Sequence, residues 1–180
     1  MVAAKIDKGA GAKVIGWSFD KIELLYMEFI LSKIGNGYSD RVRTKAWTNN
    51  HDYDLQTLRE VGSIDAFFDV SPPGAQNSSH LRTGIMSLIL GGRVSLMGSY
   101  QDITIPNAFV TRNDITLKGN WMYERKDVLA MIKMVENKHF KLYEWGGAFV
   151  IRRFRLNQWK KALEMASTQT GMGGSVVFAF

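Results

Sequence analysis

Between Ile64 and Gly119 the chain sets out a strand, a turn, a helix, a second strand, a long connection and a third strand in about the fewest residues those elements can occupy. The first piece, Ile-Asp-Ala-Phe-Phe-Asp-Val (64–70), is a short apolar run closed by Ser71-Pro72-Pro73-Gly74. Proline cannot donate to a continuing ladder, so a run this short, stopped by a proline pair, reads as a buried strand rather than a helix. Leu81, Ile85, Leu88 and Ile89 then fall on one helical face, and Gly91-Gly92 stand where a left-handed C-cap would end that helix. Arg93-Val-Ser-Leu-Met-Gly98 follows as a strand. Strand, crossover helix and strand make a βαβ unit, which implies a parallel sheet and a right-handed crossover.

The flanking sequence continues the alternation. Met1 to Lys8 are weakly helical, Gly9-Ala-Gly11-Ala-Lys13 break them, and Val14-Ile-Gly-Trp17 reads as a strand. The G-x-G here precedes a strand, whereas a phosphate-cradling turn follows a strand and opens a helix, so it reads as a helix C-cap. Asp20-Lys-Ile-Glu23 has capping-box spacing, and Leu24, Leu25, Met27, Phe29 and Ile30 carry a helix to Gly35. Arg41 to Ala46 suit a short strand with Val42, Thr44 and Ala46 on one face, and Leu55, Leu58 and Val61 a helix reaching Gly62. Tyr100 to Asn113 is a polar, proline-containing connection into the strand Ile115–Lys118. Arg125 to Asn137 is expected to be a helix with Val128, Leu129, Ile132 and Val135 on its buried side. A strand at Phe149–Phe154, a helix at Leu156–Ser167 and an apolar strand at Ser175–Phe180 close the chain. The pattern predicts an α/β fold in one domain, for which 180 residues at 46% hydrophobic content are enough.

Composition narrows the function classes. With no cysteine there is no disulfide framework and no thiolate metal site, which fits a reducing, cytoplasmic compartment. No run approaches the roughly 18 apolar residues of a membrane span, so no membrane partner is expected. The net charge of +6 is concentrated in residues 125–161, where ten Lys/Arg face three Asp/Glu and the local charge is +7. That basic stretch is divided between a helix (Lys126, Lys133) and a strand (Arg152, Arg153, Arg155), without a nucleic-acid-binding motif, and reads as a solvated face.

Candidate chemistry is sparse. His51, His80 and His139 are far apart in sequence; Asp54 and Glu136 each lie three residues from a histidine, but neither pair has the second histidine a zinc site would use. Ser71, Ser78 and Ser79 lack the G-x-S-x-G turn that exposes a nucleophile. The ends of the strands carry more information. In open parallel sheets ligands bind beyond the carboxyl ends of strands, which makes Trp17-Ser18, Val70-Ser71 and Met97-Gly98-Ser99 the expected walls of one crevice.

Five landmarks in order carry a family resemblance: Gly-Ala-Gly-Ala-Lys-Val-Ile (9–15), Ile-Asp-Ala-Phe-Phe-Asp-Val (64–70), Gly-Gly-Arg-Val-Ser-Leu-Met-Gly (91–98), Asp-Ile-Thr-Leu-Lys-Gly (114–119) and Phe-Arg-Leu…Trp-Lys-Lys-Ala-Leu…Gly-Gly-Ser-Val-Val (154–177). Together the chain resembles the C-terminal, cofactor-domain half of a zinc-type alcohol dehydrogenase of the medium-chain dehydrogenase/reductase group. The resemblance implies an incomplete Rossmann-like parallel sheet over residues 1–180, lacking the first strand and its Gly-rich turn, as in a chain truncated at its N-terminus. It implies an NAD(P)-dependent oxidoreductase transferring hydride between an alcohol or carbonyl and nicotinamide, with zinc held only in the half this sequence does not contain. This chain would then supply no catalytic or metal-binding residue, only the cofactor-binding positions Ser18, Lys21, Val70, Ser71, Met97, Gly98 and Ser99.

In NAD-preferring members an acidic residue ends the strand where Ser18 stands. A hydroxyl there, with Lys21 beside it, leans the expectation from NAD to NADP. The family's missing strand would lie between those matching Lys13–Trp17 and Asp65–Val70, so these two are expected to pair directly or to leave a destabilised chain. A homodimer through residues 103–118, where the family's cofactor domains pair edge to edge, is a further expectation. The rival expectation is a non-catalytic remnant acting as an interaction module through its sheet edges.

Overall fold

A computed structural model of the chain describes residues 13–18, 20–34, 42–99, 101–138, 148–169 and 173–179. The expected helix at 1–8, the Gly9–Gly11 break and the cap at Gly35 lie outside the described residues. The fold is α/β, with parallel ladders between helices, and it divides into two compact units: residues 47–123, and residues 1–46 with 124–180.

The 47–123 unit is built on a three-stranded parallel sheet in the order β3-β4-β5, where β3 is Ile64–Asp69, β4 Leu88–Leu96 and β5 Thr116–Gly119. Helices α2 (His51–Val61), α3 (His80–Met86) and α4 (Asn107–Arg112) accompany it. Its core is the apolar side of the βαβ unit: Leu81, Ile85, Leu88, Val94 and Ile115, with Phe67, Leu96, Phe109 and Leu117 packed around them. Gly84 lets α3 approach β3 closely, because a Cβ there would stand 2.7 Å from the Phe67 ring.

Two boundaries in this unit differ from expectation. Leu88 and Ile89 belong to β4 and not to the preceding helix, which ends at Met86, where Ser87 donates from its N–H to the Thr83 carbonyl (2.9 Å) and from its hydroxyl to that of Gly84 (2.8 Å). Gly91-Gly92 are therefore no C-cap. Ile64 pairs with Leu88 but Ala66 already pairs with Arg93, so β4 spends five residues where β3 spends two. The excess forms a bulge in which Gly91 takes φ +74° and donates its N–H to the Asn113 carbonyl (2.8 Å). The connection expected to be irregular through Asn113 contains α4, so Ile103–Phe109 is not a strand.

In the other unit, β1 (Val14–Ser18) pairs in parallel with β2 (Val42–Ala46), and β6 (Phe149–Phe154) with β7 (Gly174–Phe178). Among the described residues the ladder of β1 is to β2 and that of β3 is to β4. Helix α1 (Lys21–Ile34) buries Leu24 and Met27, and the Met27 sulfur occupies the space a side chain at Gly16 would take. Helix α6 (Trp159–Gln169) buries Ala162, and Phe154 of β6 is also buried. Helix α5 (Arg125–Glu136) opens with a capping box in which the Glu124 N–H donates to the Asp127 carboxylate at 2.9 Å. Its apolar face is not buried as expected: Val128, Leu129 and Ile132 are exposed, and none of its residues is fully buried. Periodicity marks a face that could be covered; it does not supply the cover.

Candidate functional site

The carboxyl ends of β3 and β4 are tied side by side. The Met97 N–H donates to the Asp69 carbonyl (2.9 Å) and the Ser99 N–H to the Ser71 carbonyl (3.2 Å), which brings Val70-Ser71 and Met97-Gly98-Ser99 together beyond the sheet. Val70 and Met97 present exposed apolar side chains there. Ser71 is turned back onto the strand, with its N–H (3.2 Å) and its hydroxyl (2.7 Å) both donating to Asp69 Oδ1.

Asp69 fixes this edge. It is buried, and His80 Nε2 lies 3.4 Å from the same Oδ1, while the other ring nitrogen, Nδ1, contacts the Ser78 hydroxyl. Burial pushes the Asp69 carboxyl up, but the hydrogen bonds from His80 and Ser71 and the charge His80 can carry outweigh it and hold the group below its ordinary range. Trp47 stands edge-on to the His80 ring, with centroids 6.1 Å apart. Around it, His51 Nδ1 meets the Thr83 hydroxyl at 2.7 Å and Asn49 Oδ1 accepts the Ser79 N–H at 2.9 Å, joining α2 to the start of α3. Asp54, also buried, accepts the Thr48 hydroxyl at 2.8 Å.

Ser18 and Lys21 lie together in the other unit, at the carboxyl end of β1 and the first position of α1. Asp20 Oδ1 accepts the Ile22 N–H (2.7 Å), but the expected capping box does not close, because Glu23 reaches past Asp20. Its Oε2 instead accepts the proton of the Ser18 hydroxyl at 2.9 Å, and that hydroxyl oxygen accepts the Asp20 N–H at 3.2 Å.

Sequence reasoning missed Asp69, His80 and Glu23. Asp69 is one of two aspartates in an apolar run, and His80 is far in sequence from the other histidines; its partner is a carboxylate on another element. A cleft of about 360 Å³ between Asp65, Ile89, Leu90 and Arg93 lies at the bulge, toward the amino end of β3. Ligands of open parallel sheets bind at the carboxyl ends, so this cleft is not the candidate site.

No protein-family model and no curated protein matches the chain. Solved structures do. A short chain alcohol dehydrogenase (rspB) from E. coli CFT073, complexed with cofactor NADH, superposes with a TM-score of 0.72 at 14% identity, over 98% of this chain and 48% of that one. A putative alcohol dehydrogenase from Sinorhizobium meliloti 1021 gives 0.67 at 16% identity, over 98% and 46%. A cobalt- and zinc-bound thermostable alcohol dehydrogenase from Pyrobaculum aerophilum gives 0.64 at 20%, over 99% and 45%. The chain thus shares a fold with alcohol dehydrogenases while spanning just under half the length of each of these three.

Proposed function

We propose that this chain is the nicotinamide-dinucleotide-binding part of an oxidoreductase of the zinc-type alcohol dehydrogenase kind. One observation carries this reading: the ends of β3 and β4 are cross-linked into a paired edge by Met97–Asp69 and Ser99–Ser71 hydrogen bonds. A dinucleotide is held at such an edge in doubly wound sheets. The group fits the residues present. Val70 and Met97 offer apolar contact to a base or nicotinamide ring, and Gly98 carries no side chain to obstruct a closely approaching ligand. Ser71, braced by Asp69, fixes the backbone on which they stand. The cofactor would supply hydride chemistry between an alcohol and a carbonyl; the part of these residues is to bind and orient it. A cytoplasmic location goes with this reading, as does an absence of alcohol dehydrogenase turnover by the chain alone, whose sequence offers no clustered cysteine and histidine ligand set.

The test is a calorimetric titration of the purified chain with NADH and NADPH. Saturable binding of at least one, weakened about tenfold or more by Gly98→Trp, supports the proposal; a bulky side chain at that edge costs a ligand the contacts of a closely packed site. No saturable binding of either would sink it.

A second reading, an interaction module that associates through sheet edges, draws on β5, which among the described residues has β4 as its strand neighbour and stands last in the order β3-β4-β5. With Ile103–Phe109 entering α4, a homodimer through 103–118 would rest on Thr116–Gly119 alone.

A further inference from the structure

We propose that Ser78, His80 and Asp69 form a nucleophilic serine site that takes acyl groups from small carboxylic esters. All three belong to the 47–123 unit, and the site is independent of dinucleotide binding. A serine–histidine–aspartate array is recognised by its geometry and by the role of each group, not by a sequence spacing. Here the imidazole of His80 stands between its two partners: Nε2 lies 3.4 Å from Asp69 Oδ1, and Nδ1 contacts the Ser78 hydroxyl.

The proton positions follow from Asp69. Its carboxyl is held below its ordinary range, so at neutral pH it is a carboxylate, which only accepts. In the neutral imidazole Nε2, which faces it, carries the ring proton, and the lone pair of Nδ1 is left to accept from the Ser78 hydroxyl. The alignment is held from several sides. The Ser78 N–H donates to the Ala75 carbonyl (3.0 Å) and the Ser79 N–H to Asn49 Oδ1 (2.9 Å), while His80 is buried with Trp47 edge-on to its ring. Ser78 is half-buried and Gln76 and Asn77 before it are exposed, so the hydroxyl is reached from solvent and admits a small acyl group beside the buried imidazole. Ser78 Oγ attacks the ester carbonyl carbon as its proton passes to His80 Nδ1; the tetrahedral adduct then breaks its bond to the alkoxy oxygen, which leaves as the alcohol with that proton. Water, giving a proton to Nδ1, attacks the acyl carbon, and collapse releases the carboxylic acid as the proton returns to Ser78 Oγ. Asp69 is a positioning residue that keeps the ring proton on Nε2.

The purified chain is treated at about pH 8, above the histidine range, with p-nitrophenyl acetate, and p-nitrophenolate release is followed. A second sample receives an alkyl fluorophosphonate, which traps a nucleophilic serine as a phosphonyl ester with loss of fluoride, and the modified peptide is located by mass spectrometry. Phosphonylation at Ser78 is expected, at a rate that falls about a hundredfold or more in His80→Gln, the effect a general base contributes. Ser78→Ala should still melt cooperatively and lose the ester cleavage. Nitrogen-15 NMR of the His80 ring reads the part of Asp69 without relying on activity: the parent should carry its ring proton on Nε2, and Asp69→Asn should shift it toward Nδ1. Where His80→Gln does not melt cooperatively, the NMR signature and Ser78→Ala decide. A Ser78 left unmodified by the fluorophosphonate, ester cleavage in Ser78→Ala within about threefold of the parent, or a parent His80 ring protonated on Nδ1 would overturn the assignment.

Discussion

Asp69 carries its charge into an almost closed environment at the end of a core strand, and it is held there by Ser71 and His80. Because its folded pKa lies below the ordinary value, the group adds stability that is fully present above the ordinary aspartate range and is lost as pH falls through the lower, folded value. The urea midpoint should therefore drop more steeply than in Asp69→Asn on acidification below about pH 4, with the two profiles parallel above that range. At neutral pH that variant should lose about 1–3 kcal/mol, because it exchanges charge-assisted bonds for neutral ones in a buried site. Superimposable pH profiles would show that Asp69 has no such part. The sequence could not reveal this site. Asp69 and His80 lie on different elements, and an aspartate in an apolar run looks the same whether or not it has a buried partner. Ser18 and Glu23 were equally opaque: capping-box spacing pointed Glu23 to Asp20, and only the path of the β1–α1 turn shows that it reaches Ser18.

Among the elements, the βαβ unit was legible because the apolar run, the proline pair and the helical face each stated the same thing at short range. The end of α3 was not. Leu88 and Ile89 satisfy a helical period as well as a strand, and a glycine pair serves a bulge as readily as a cap, so the choice fell to the pairing of β4 with β3, which is a long-range fact. Helix α4 was hidden by the polar residues and proline that precede it, although Pro106 stands at its N-cap. The close approach of α3 to β3 makes a sharp prediction. Gly84→Ala would drive a methyl into the Phe67 ring, and overpacking of this kind costs about 1–3 kcal/mol. Thermal melting should show a lowered midpoint for Gly84→Ala and a partial recovery when Phe67→Leu is added; an unshifted midpoint would mean that the helix and strand can separate without cost.

For the whole molecule, the α/β class and the parallel ladders followed from the alternation of periods, whereas the exposure of α5 did not, since a chain's own sequence cannot say what lies against a given face. The second reading bears on association. If copies pair along β5, Thr116→Pro should abolish the dimer in sedimentation, because proline removes a ladder donor. A dimer that survives the change would place the contact elsewhere. Nucleotide binding at the paired ends of β3 and β4 is the central claim, and hydrogen exchange tests it where it would occur. Saturating NADH should slow amide exchange in Val70–Ser71 and Met97–Ser99, with exchange at the Leu90–Arg93 bulge unchanged; no protection at the strand ends, or protection at the bulge instead, would contradict the account.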